Sequence, residues 1–234
     1  MPHQQDAQRI RRKVRERGVE LDHIVVSSTH NHESKDTMGI WGASVSETGY
    51  DDAYQDFVAD QAAAAFADAV DALHPVVLTT SQGDASHLVN DTRLPLVGDP
   101  HITIFQFDAV DPAEDDVTWV VWGNHPETLG GDNLLVSADY PGALRKEVEA
   151  LLPGTTCVFS NGVLGGLTTT IGLTICPDAL GNETCPQGTF ARAEAVGAQA
   201  ARIAVDALLA NPQRPAAPTL AQATTPMAFR RLPI

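Results

Sequence analysis

No stretch of this 234-residue chain is long and apolar enough to cross a bilayer. No hydrophobic segment follows the basic residues of MPHQQDAQRIRRKVRERGVELD, so that opening does not read as a secretory signal. Its Ile10, Val14 and Val19 among Arg and Glu read instead as a short amphipathic helix. Basic residues are scarce, 15 against 30 acidic ones, for a formal net charge of −15. Such a surface repels phosphate backbones and argues against nucleic acid as a partner. Only three cysteines are present. Cys176 and Cys185 bracket the turn-rich PDALGNET, a spacing equally compatible with a small disulfide and with two free thiols. A disulfide would favour an oxidising compartment. Cys157, in the apolar run TTCVF, reads as a buried small residue. The N-x-T triplets at Asn90 and Asn182 are too common by chance to carry an assignment.

What is present is a core. The apolar fraction of 43% suits one domain, here residues 1–210, followed by a proline-rich extended tail over 211–234. HIVVSS, PVVLTT, HITIFQF, VTWVVWG and TTCVFS read as strands. Helices are expected over about Gln55–Leu73, with Phe57, Ala64, Val70 and Leu73 as the apolar stripe, and over about Phe190–Leu209. A third helix spans about Tyr140–Leu152, with Asp139 as cap, Pro141 in the first turn, and Leu144, Val148, Leu151 and Leu152 buried. SQGDASHLVNDTRLPLVGDP lacks periodicity and reads as loop. Alternating strands and helices predict an α/β fold, a mixed β-sheet core covered by helices.

Three segments carry chemistry. In Thr29-His30-Asn31-His32-Glu33, histidines two apart at a strand end would point to one side, and neutral imidazole is a good zinc ligand. VTWVVWGNHPE delivers His125 in the same way, with Glu33, Asp36, Glu127 and Asp132 nearby as carboxylates. In SNGVLGGLTTT, glycines permit close backbone approach to a ligand, while Thr168, Thr169 and Thr170 supply hydroxyls; on local evidence alone a plain glycine-rich turn is the favoured reading. His3, His23, His74 and His101 show no partner pattern, and His87 lies in the long loop. Trp41, Tyr50, Tyr54, Trp119 and Trp122 read as core or pocket wall.

IVVSSTHNHESKDTMGIWG, DTRLPLVGDPHITIFQFD, VVWGNHPETLGGDNLLVSADYPGALRKEVE, CVFSNGVLGGL and FARAEAVGAQAARIAVDAL together resemble the neutral/alkaline, non-lysosomal ceramidase family. The resemblance runs from about Asp22 to Leu209. It implies a zinc-dependent hydrolase cleaving the amide bond of an N-acylated amine such as an N-acylsphingosine. By motif, His30 and His125 would be zinc ligands, and His32 would assist proton transfer or substrate binding beside the metal. The family's G-D-x-S falls on Gly165-Gly166-Leu167-Thr168, so Thr168 would stand in for the active-site serine, and the carboxylate is lost. Its S-G-P-G-G is ESKDTMG here. The family's remaining ligands, a glutamate and a tyrosine, come from a more C-terminal region, and its domain has earlier strands. The chain is therefore expected to be incomplete relative to the family's catalytic domain. A lipid or small-molecule amide is the implied substrate, with peripheral membrane contact and an extracellular or periplasmic location. The competing expectations are a catalytically silent relative and a hydrolase acting on some other amide or ester.

Overall fold

A computed structural model of the chain describes residues 4–44, 46–164 and 167–223. Period-two burial builds its sheet. Ile102, Ile104 and Gln106 of β3 (His101–Ala109) are buried, as are Thr118, Val120 and Trp122 of β4 (Asp116–Trp122) and Cys157 and Phe159 of β5 (Thr155–Asn161). With β1 (Val76–Asp84), these strands form one sheet in the order β1-β3-β4-β5. β1/β3 and β3/β4 are antiparallel, and β4/β5 is parallel. The parallel step needs a crossover, supplied by α3 (Asp139–Leu151). Thus the expected mixed sheet with helices packed on it is present.

Helix α3 and α4 (Phe190–Ala210) lie together on the buried face and enclose the main core. Gly197 makes their close approach possible, since a Cβ there would stand 2.6 Å from the Tyr140 carbonyl oxygen and from the Ala143 Cβ. Leu144 and Val148 are fully buried, each worth about 1.5–3 kcal/mol relative to exposure. Thr189 caps α4 by accepting the Arg192 amide at 3.3 Å. The opposite sheet face is barer. There Phe105 stacks on Trp119, which remains 37% exposed.

A second, smaller cluster joins α1 (Gln4–Glu16) and α2 (Asp52–Asp71) through Ile10, Val14, Ala59 and Ala63. Arg9 and Lys13 of α1 pair with Asp52 and Asp60 of α2 at 3.0 and 2.8 Å. Ile24 and Val26 of the following segment complete the cluster. The buried residues of α2 are Gln55, Ala59 and Ala63, whereas the expected Phe57 and Leu73 are exposed. Alanine lets two helices approach closely, so the small residues, not the largest ones, mark that interface.

Three other expectations are corrected. HIVVSS forms no strand and belongs to neither sheet. Its alternation is that of a half-buried strand (Ile24 buried, Val25 74% exposed), but a strand also requires a laddered partner, which the pattern cannot report. The Arg11 guanidinium holds the Ile24 carbonyl instead, at 2.8 and 3.1 Å. The segment read as one long loop continues β1 to Asp84, makes a short helical turn at Ser86–Leu88, and pairs β2 (Asn90–Asp91) with β6 (Thr168–Thr169). At the helix cap, Ala138 precedes α3 without a capping side chain. The Asp139 carboxylate accepts the Tyr140 amide at 2.6 Å and reaches elsewhere as well. Cys176 and Cys185 form a disulfide with Cα atoms 5.6 Å apart, and Cys157 is buried. Among the described residues no helix is long and apolar enough to cross a membrane. The start of the proline-rich segment is tied down by a bridge between Gln213 and Thr80.

Candidate metal centre

His125 lies just past the end of β4. Two residues earlier, Gly123 passes beneath another segment, where a Cβ would stand 2.3 Å from the Val163 carbonyl oxygen. Next, Asn124 is fully buried, donating to the Leu88 carbonyl at 2.9 Å and receiving the Tyr140 hydroxyl on its own carbonyl at 2.6 Å. The Thr168 carbonyl then accepts both the His125 amide and its Nδ1–H, at 2.9 and 2.8 Å. A backbone acceptor on Nδ1 fixes the tautomer and leaves Nε2 with its lone pair free. Beyond His125, the Asp139 carboxylate receives the Thr128 hydroxyl at 2.7 Å and the Leu129 amide at 3.2 Å. Asp139 adopts φ 51°, a left-handed backbone uncommon outside glycine, and this conformation accompanies its bridging role.

His30 and His32 arrive differently from the strand geometry expected. Their arm is not laddered, and His30 has φ 61°. Strand alternation therefore cannot account for their pointing together. The arm is set by cross-links: Asn161 donates from its side chain to the Thr29 carbonyl, and the His32 amide donates to the Pro126 carbonyl at 3.2 Å. The Asn31 side chain donates to the Ser137 carbonyl at 2.5 Å, and its oxygen accepts the Glu33 amide at 2.6 Å.

These two arms bring three imidazoles together across 95 positions (125 − 30 = 95). Ring centroids lie 4.7 Å apart for His30–His125, 5.1 Å for His30–His32 and 5.7 Å for His32–His125. One ring nitrogen from each falls within 4.8 Å of the others. Nitrogens sharing one zinc at 2.0–2.1 Å stand on the order of 3–4 Å apart, so modest side-chain rotation closes the difference. Burial, then the neighbouring His125 and His32 rings, lower His30 to about 4. It is therefore neutral at neutral pH, the state in which imidazole donates to a metal. Among the described residues, His30 makes no ring hydrogen bond that would compete for its nitrogens. The donor set fits a metal of the zinc class.

The other sequence candidates separate clearly. Glu127 stands 3.5 Å from the Nδ1 of His32. Glu33 is buried and holds the Asn133 side chain, whereas Asp36 organises its own loop through the amides of Met38, Gly39 and Trp41. Thr168 is fully buried, with no partner for its hydroxyl; Thr170 is the same. Gly165 and Gly166, the expected oxyanion glycines, lie outside the described residues, as does His3. His23, His74, His87 and His101 do not join the cluster; His74 instead bonds its own helix end, and His101 bonds Asp99. Trp122 is core, whereas Trp41 is exposed. A cleft of about 480 Å³ between Leu151, Leu208 and Pro212 is at the far end of the sheet from the histidines. Sequence reasoning missed the framework: Asn31, Asn133, Ser137, Asp139 and Tyr140. Its only signal is the density of short polar residues in GDNLLVSADY.

Among solved structures, a neutral ceramidase from Pseudomonas aeruginosa is similar to this chain with a TM-score of 0.69 and 17% identity, over 88% of this chain and 35% of its own. A ceramidase complexed with C2 is similar with a TM-score of 0.61 and 12% identity, over 86% and 34% respectively. No protein-family model and no curated protein sequence matches. The chain thus spans about a third of the length of these neighbours. At such identities the likeness is one of fold: nearly all of this chain adopts the architecture of one portion of those two ceramidases.

Proposed function

We propose that this chain forms part of a zinc-dependent hydrolase that cleaves the amide bond of an N-acylated amine, with a ceramide-like lipid as the leading substrate class. One observation carries the reading: His30, His32 and His125 converge from two separate arms with their ring nitrogens within 4.8 Å. The shared fold with two ceramidases supports the choice of reaction and substrate. His30 and His125 would hold the metal. A bound zinc supplies carbonyl polarisation and acidifies water. His32, the exposed ring beside them, would carry the proton to the leaving amine, oriented by Glu127 at 3.5 Å. Thr168 would act through two atoms. Its carbonyl fixes the His125 tautomer, and its hydroxyl, unpartnered but fully buried, would have to be uncovered on substrate entry to donate to a substrate oxygen. A silent relative is less favoured, since nothing about inactivity requires three imidazoles to be held together. The disulfide is compatible with an extracellular or periplasmic site of action.

The test is turnover of a panel of N-acyl amines, from N-acylsphingosine to short acyl amides, before and after chelation. Activity abolished by chelation and restored by zinc is expected, with preference for the long-chain lipid. Turnover that persists through chelation would contradict the metal role, and preference for short amides would move the substrate class.

A further inference from the structure

Glu33 is a carboxylate beside a histidine cluster, 7% exposed, yet it is not among the converging ligand atoms. We propose that Glu33 is a positioning residue that clamps the His30/His32 arm to the His125 arm through the segment between Asn133 and Asp139, an inference that rests on the metal-site reading above. Three of its groups face this segment or the turn beside it. Its Oε2 accepts the Asn133 side-chain amide at 2.6 Å, its carbonyl accepts the Ser137 amide at 3.0 Å, and its amide donates to the Asn31 side chain at 2.6 Å. Asn31 in turn donates to the Ser137 carbonyl at 2.5 Å. Two residues on, Asp139 binds Thr128 and Leu129, and Tyr140 binds the Asn124 carbonyl, on either side of His125. The circuit therefore runs from His32 through Glu33, Asn133–Ser137 and Asp139 back to His125. The Asn133 side chain also holds its own turn, donating to the Leu135 carbonyl at 2.7 Å.

This arrangement explains how an arm without a ladder can fix a left-handed histidine. A strand would share the constraint among many backbone bonds, whereas here it rests on a few side chains and two isolated backbone bonds, from Ser137 to Glu33 and from His32 to Pro126. Removal of one should let the His30/His32 arm drift while the main core, built from other residues, stays intact. Groups that orient metal ligands typically alter metal affinity by about 10- to 100-fold.

The experiment compares Glu33→Ala, Glu33→Gln and Asn133→Ala in the full chain by zinc titration, thermal unfolding and amide hydrogen exchange. Glu33→Ala and Asn133→Ala should each weaken zinc binding by about 10-fold or more, and the double variant by little more than either. Glu33→Gln keeps an oxygen for Asn133 and should retain most of the affinity. A Glu33 acting as a ligand itself would instead make Glu33→Gln as damaging as Glu33→Ala and spare Asn133→Ala. A general structural defect would lower the unfolding midpoint in proportion to the affinity loss. Exchange at the Ser137 and His32 amides needs no metal: it should accelerate in Glu33→Ala and stay slow in Glu33→Gln. Unchanged exchange in Glu33→Ala overturns the clamp even if zinc binds, while a protein that takes up no zinc but shows the acceleration fails the metal reading and keeps the clamp.

Discussion

The two arms that meet at the cluster are built on opposite principles. The His125 arm continues a buried strand and is held by core residues: Asn124 and Tyr140 are fully buried, and the Thr168 carbonyl takes two donors from one histidine. The His30/His32 arm hangs from the smaller helix pair, touches its core through Ile24 and Val26, and is held by isolated side-chain and backbone bonds. The first arm inherits precision from packing, the second from a handful of polar residues. Ligand geometry on the first side should therefore be robust to surface changes, and on the second side fragile.

Tyr140 is where the comparison can be broken most severely. It packs edge-on to Trp122 and Phe159 at 5.2 and 5.9 Å and holds the Asn124 carbonyl. Tyr140→Ala should cost about 3–5 kcal/mol in denaturant unfolding, as for other large aromatic truncations. Tyr140→Phe should cost about 1–3 kcal/mol, because it leaves the Asn124 carbonyl buried without its donor. On the other arm, Arg11→Ala removes both bonds to the Ile24 carbonyl and should cost on the order of 1 kcal/mol. A loss as large as that of Tyr140→Ala would show that the two arms share one core.

The sequence revealed the first arm better than the second for a physical reason. Strand VTWVVW carries period-two alternation, and a buried strand fixes where its end must lie. HIVVSS has the same alternation, but whether it finds a partner depends on chain elsewhere, so its reading as a strand failed. The histidines still converge because His30 and His32 are placed by Asn31, Asn161 and the Ser137 backbone, contacts more than 100 positions apart that no local window contains. Likewise α2 was found, but its buried stripe was assigned to Phe57, Ala64, Val70 and Leu73, when Gln55, Ala59 and Ala63 are the buried residues. The disulfide was legible only as one of two alternatives, since spacing leaves the pairing open.

A smaller effect sharpens the comparison from a region outside both arms. In the disulfide-closed loop, burial alone would raise Asp178, but hydrogen bonds from Asn182, Leu180 and Gln199 outweigh it and hold the carboxyl below its ordinary value. The unfolded chain therefore binds this proton at a higher pH than the folded one, and the contribution is present above the ordinary aspartate range and lost as pH falls through the lowered folded value. Acid titration of stability should show this small loss, and Asp178→Asn should remove that component of the pH dependence. An identical acid profile in the variant would contradict the assignment.

The most direct measurement is the zinc content of the purified, zinc-equilibrated protein beside His30→Ala and His125→Ala. The converged cluster predicts about one zinc per chain in the parent and a marked loss in both variants, since either removes one of the two imidazole donors brought together from separate arms. Equal zinc in all three proteins would contradict the shared site, and with it the proposed hydrolase.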